Sequence, residues 1–214
     1  VFSALRNLPQ RYVAWIKVAV FVLALVPLGR LVTGAFLYPE WLGANPAEFI
    51  TRATGDWALR MLLITLAVTP LRRLSGWNWL LRLRRMLGLF AFFYAAVHFS
   101  SYISFDHVFD AEAILKDIVK RPFITVGFLC LMFMLPLAVT SANAMVRRLG
   151  AKRWIALHRL VYLVAPLAVL HFWWMVKRDL TEPIIYAMVL AGLLGARLVW
   201  RARERKAGLT AQQA

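Results

Sequence analysis

Histidine is the residue of this chain with ligand chemistry, and it occurs four times, at His98, His107, His158 and His171. His98, His158 and His171 lie inside long apolar runs, where a polar side chain is costly and marks a functional site by default. One such imidazole is readily explained by a hydrogen bond to a neighbouring helix. Three in this arrangement favour a ligand role. At the helical rise, His98 lies about 12 Å from the outer end of its helix near Asp106, and His171 about 9 Å from its own near Lys177. The two helices run in the same direction, so both imidazoles reach one level. A porphyrin between them has both axial positions filled, the bis-His arrangement suited to electron transfer.

His158 precedes His171 by thirteen positions, which places it about 20 Å deeper, a sensible spacing for a second haem. That level offers no partner histidine. Counting back along the helix of His98 reaches Arg84 and Arg85, which suit haem propionates better than iron, and Met86 is the nearest soft side chain. Arg159, beside His158, either meets a propionate or lipid phosphate or snorkels to the interface. His107 follows its apolar run in a polar loop and reads as solvated. A single cysteine, Cys130, excludes an intrachain disulfide and a multi-cysteine zinc site, and reads as a small buried hydrophobe.

The elements that position these histidines are apolar helices. The chain has 214 residues, 62% of them hydrophobic, with a mean hydropathy of +0.66, more apolar surface than a soluble core of this size hides. A crossing needs roughly 20 apolar residues. Six runs qualify: 13–31, 53–71, 86–105, 122–145, 154–176 and 183–200. The second is the least apolar, with Asp56 and Arg60 at one end, and the sixth is short, with Arg197 placed to snorkel. The run 18–29 after Lys17 lacks a following Ala-x-Ala site and reads as an uncleaved first crossing. The expected fold is therefore all-α, a single polytopic membrane bundle over residues 1–214.

Charge placement orients it. The N-terminus, the 72–85 and 147–153 loops and the C-terminal tail hold about twice as many basic residues as the opposite side, making that side cytoplasmic, with both termini on it. All the acids except Glu204 fall on the other side. The net charge of +16 thus belongs to short clusters flanking apolar helices and does not describe a nucleic-acid face. The 106–121 loop carries Val108, Phe109, Ile114, Leu115, Ile118 and Val119 and is amphipathic enough for a short helix at the outer interface. No dinucleotide motif or P-loop occurs.

Several segments resemble one family. Leu42-Gly-Ala-Asn-Pro-Ala-Glu, Thr51-Arg-Ala-Thr-Gly-Asp-Trp, Val68-Thr-Pro-Leu, Arg84-Arg-Met-Leu-Gly-Leu ending in His98, Arg121-Pro-Phe-Ile-Thr, Leu157-His158 and His171-Phe-Trp together resemble the MsrQ (YedZ) family, over about residues 12–200. That family belongs to the ferric-reductase-like membrane cytochromes. The resemblance implies an inner-membrane subunit with haem b, one or two per chain, and FMN as a second cofactor. It implies electrons from quinol or a cytosolic flavin reductase, delivered to the periplasmic molybdenum enzyme MsrP for repair of methionine sulfoxide in proteins. His98, His171 and His158 fall on its haem-linked positions, and the chain itself performs no catalysis. Larger relatives have a fourth histidine where this chain has Arg84 and Arg85. Two alternatives remain: metal reduction with a partner flavoprotein, and a non-haem transporter or assembly protein.

Overall fold

The computed structural model describes Arg6, residues 8–176 and residues 179–213, with side chains to residue 207. Lys177 and Arg178, counted above among the outer charges, lie outside the described residues. Nine α-helices appear among them and no strand: α1 Gln10–Phe36, α2 Pro46–Ser75, α3 Arg84–Asp106, α4 Ala111–Lys120, α5 Pro122–Val139, α6 Asn143–Leu149, α7 Ala151–His158, α8 Val161–Met175 and α9 Thr181–Gln213. Short 3-10 turns at Pro39–Leu42 and Asn78–Arg82 lead into α2 and α3.

Local chemistry sets the helix ends. Asn45 accepts a bond from the Glu48 backbone N–H, Pro46 opens the first turn of α2, and Glu48 favours its positive end. Gly76, at φ 75°, closes α2 in the left-handed conformation with its N–H on the Arg72 carbonyl. Asp110 caps α4 through the N–H groups of Glu112 and Ala113.

Five stretches are long and apolar enough to cross a membrane: Gln10–Phe36, Arg84–Asp106, Pro122–Val139, Ala151–Met175 and Thr181–Ala207. Their outward faces carry Trp15, Phe21, Leu23, Leu129, Leu135, Ile184, Met188 and Leu198, all exposed. Such surface suits lipid rather than water. The protein is a multi-pass membrane bundle. The second expected run, inside α2, is less apolar because that helix is central. Leu59, Met61, Leu62, Leu63, Leu66 and Val68 are all buried, and α2 packs on α1, α3, α8 and α9. A helix facing protein on most sides meets little lipid and tolerates Thr54, Thr65, Asp56 and Arg60.

Three expectations about the runs need correction. The fourth stops at Val139 rather than reaching residue 145: the Ser141 N–H turns to the Ala138 carbonyl three residues back, and α6 starts afresh at Asn143. The fifth is interrupted between His158 and Val161, where three-residue bonds such as Leu160 N–H to the Leu157 carbonyl take over. Pro166, one turn on, has no N–H for the Tyr162 carbonyl and crowds it. Finally, Arg197 does not snorkel. It is only 7% exposed and donates to the carbonyls of Leu193 in its own helix and Leu66 in α2.

Candidate haem site

The site is built from two helix pairs, α2 with α3 and α5 with α8, joined through contacts of α3 with α5 and of α2 with α8. His98 projects from α3 and donates from Nδ1 to the Thr51 carbonyl of α2 at 2.8 Å. His171 projects from α8 and donates from Nδ1 to the Phe123 carbonyl of α5 at 2.7 Å. A carbonyl only accepts, so both rings carry their proton on Nδ1, and Nε2 holds the free lone pair in each. A partner of this kind on the far nitrogen is what orients a metal-bound imidazole and raises its basicity.

Glycine makes both approaches possible. Gly55 stands one helical turn after Thr51, and a Cβ there would lie 3.0 Å from His98 Cε1 and 3.1 Å from its Nδ1. Gly127 stands one turn after Phe123, and its Cβ would lie 2.7 Å from His171 Cε1 and 2.9 Å from Nδ1. Each imidazole therefore rests on the backbone of a helix other than its own, in a cradle that any side chain would fill.

The two ring centroids lie 6.2 Å apart, with planes inclined at 71°. Metal–imidazole bonds of about 2.0–2.1 Å on either side of one ion put the ring centroids about 6 Å apart, so the pair fits a shared iron. Among the described residues no three His, Cys, Asp or Glu side chains gather around a bare ion. The pair has the donor set of a haem iron whose remaining ligands come from the porphyrin.

His158 stands apart, at the end of α7. Its Nδ1 donates to the Trp154 carbonyl at 3.0 Å, and its ring stacks on Trp154 at 3.8 Å between centroids. Its Nε2 is buried with no hydrogen-bond partner among the described residues, an uncommon condition for a buried polar atom. Arg84 and Arg85 act on it electrostatically. Arg84 is half-buried, Arg85 donates to Asn143 Oδ1 at 2.6 Å, and Arg159 is exposed. Met86 packs against the core.

The sequence profile of the ferric reductase like transmembrane component family matches residues 54–169, more than half of the chain. The chain is 58% identical over 192 residues to the protein-methionine-sulfoxide reductase heme-binding subunit MsrQ of Herminiimonas arsenicoxydans, covering 89% of this chain and 87% of that protein. Its identity to the protein of the same name from Ralstonia nicotianae is 53%, over 95% and 94% of the two chains. With that from Rhodospirillum rubrum it is 56%, over 90% and 91%. The chain belongs to the MsrQ family. No solved structure matches it.

For this MsrQ-family chain, the matched region includes His98 and His158 and stops two residues before His171. Sequence reasoning about the family's histidines missed both cradle glycines, since glycine in an apolar helix reads as packing. It also misjudged His107. That side chain is only 14% exposed, and its Nε2 lies 2.8 Å from Tyr102 Oη and 3.2 Å from Asp117 Oδ2. Tyr102 donates to the same Asp117 oxygen at 2.8 Å, and Arg121 Nε meets Oδ1 at 2.7 Å. The network clamps the buried face of α4 to the end of α3, one turn beyond His98, while Leu115 and Val119 face outward. The signal was the acid at Asp117 inside an otherwise apolar face.

Proposed function

We propose that this chain is a b-type cytochrome subunit that carries electrons across the cytoplasmic (inner) membrane to a periplasmic methionine sulfoxide reductase. The pair His98 and His171, each fixed on Nδ1 by a backbone carbonyl, carries this reading. His98 and His171 would hold haem b there, and the group would supply electron exchange without binding substrate. The whole chain forms one ferric-reductase-like membrane domain with both termini in the cytoplasm, as the basic loops suggest.

The finer assignments rest on the family. Relatives are named as heme-binding subunits of a protein-methionine-sulfoxide reductase. By that kinship the acceptor is the molybdenum enzyme MsrP, the donor is quinol or a cytosolic flavin reductase, and FMN is a second cofactor. Electrons would enter at the basic end, near His158, and leave on the opposite side, nearer to His98 and His171. Of one or two haems per chain, a second would take His158 as its ligand, with Arg84, Arg85 and Arg159 as the cations near its propionates or an FMN phosphate.

The deciding experiment is a dithionite-reduced minus oxidised spectrum of the purified chain, with haem counted per polypeptide. Loss of the haem held by His98 and His171, read as a drop in haem per chain, is expected in both His98→Ala and His171→Ala, and its retention in His158→Ala. A colourless wild-type protein made with ample haem supply overturns the function.

A further inference from the structure

Three buried side-chain polar atoms lack a hydrogen-bond partner among the described residues: Trp77 Nε1, His158 Nε2 and Arg197 Nε. All three belong to the basic end of the bundle. Arg197 is the one whose condition is hardest to sustain. Its side chain is more than nine-tenths buried, and its guanidinium remains charged in any protein environment. The two carbonyls it reaches are neutral. The Tyr162 ring lies beside it, with Cζ 5.7 Å from the centroid. Its charged neighbours, Arg84 and Arg201, are also cations. The single acid at this end, Glu204, is 2.9 Å from Arg73 and largely exposed. A buried cation without a counter-ion is strongly disfavoured, and such groups are normally paired.

We propose that Arg197 is the seat of an oxyanion, the carboxylate or phosphate of an amphipathic ligand held in the basic leaflet of the bundle. Arg84, half-buried at the start of α3, is a further cation near both Arg197 and His158. Two sources supply this chemistry. One is the phosphate of an anionic phospholipid, which needs nothing else in this account. The other is a porphyrin carboxylate from a haem at the His158 level, which rests on the function proposed above.

The test uses the full chain in detergent, comparing wild type with Arg197→Gln, Arg197→Met and Arg197→Lys. Phosphatidylglycerol retained after delipidation is counted by native mass spectrometry, haem by its pyridine complex, and thermal midpoints are taken with phosphatidylglycerol or phosphatidylcholine added. At least a fivefold loss of retained phosphatidylglycerol in the Gln and Met variants, with haem unchanged and partial recovery in the Lys variant, assigns the lipid phosphate. Haem loss or a shifted midpoint potential with lipid unchanged assigns the porphyrin carboxylate. Folded Gln and Met variants that match wild type in both respects overturn the proposal. So does a wild-type protein that retains neither ligand, a result that needs no folded variant. Absence of haem alone sinks the proposed function and leaves the lipid arm standing.

Discussion

Gly127→Ala separates the stability of the helix from the integrity of the histidine pair. The added Cβ would lie 2.7 Å from His171 Cε1, 2.9 Å from Nδ1 and 3.1 Å from Nε2, whereas ordinary contact begins near 3.4 Å. The ring must therefore retreat by roughly 0.7 Å. That exceeds the ~0.5 Å within which a preorganised site holds its groups. It also draws Nδ1 away from the Phe123 carbonyl, now at 2.7 Å, a bond with a net value of about 0.5–1.5 kcal/mol. At ~1.4 kcal/mol per tenfold, that bond together with the displaced iron ligand predicts at least a tenfold weaker hold on haem. The helix itself changes in the opposite sense, since alanine is about 1 kcal/mol better than glycine in a helix interior. Gly55→Ala is milder: its closest approach is 3.0 Å to the tip of His98, so haem is retained with a shifted spectrum. Gly192→Ala, with nothing within 4 Å, is the control. Haem per chain and far-ultraviolet circular dichroism are measured side by side. A Gly127→Ala protein with full haem and the wild-type spectrum refutes the cradle.

Other outcomes follow from the same geometry. Imidazole planes at 71° leave the two iron orbitals that overlap them nearly equal in energy. The oxidised protein should then give a strongly anisotropic low-spin resonance, and a rhombic signal typical of parallel rings would contradict the orientation. Asp117→Asn weakens the clamp on α4 by about 1.5–3 kcal/mol, the value of a hydrogen bond to a charged group. Hydrogen exchange in residues 111–120 should rise ahead of the bundle, and unchanged protection there would show the clamp to be dispensable. Tyr186→Phe removes the acceptor of the Arg60 Nε bond at 2.8 Å between α2 and α9. Interhelical bonds in membranes are worth about 0.6–1.7 kcal/mol, so a thermal midpoint lower by a few degrees is expected, and no change would mean that packing alone holds α9.

The meeting of His98 and His171 was legible in the sequence because helical rise is constant and depth can be counted from the charged ends. The path of the backbone between His158 and His171 was not. Pro166 advertised a bend, but the interruption falls a turn earlier, where side chains give no sign of it. Arg197 illustrates a second limit. A cation near the end of an apolar run looks the same whether its stem reaches outward or its head is drawn to a neighbouring carbonyl, and only the position of α2 decides. His107 failed for a related reason, since its partners Tyr102 and Asp117 lie on opposite sides of a loop whose folding back is tertiary. The centrality of α2 was likewise hidden, because a helix shielded by protein needs less hydrophobicity than one bathed in lipid.

The crossed anchoring of the imidazoles also bears on how the protein is put together. His98 ties α3 to α2 and His171 ties α8 to α5, so an iron shared by the two rings would rivet four helices at a single point. It would add one further tie to helix pairs that already pack together, α3 on α5 and α2 on α8. Chains that miss it would keep those packing contacts and lack only the tie between the two imidazoles, so haem loading should register as resistance of the four helices to coming apart rather than as a change of fold.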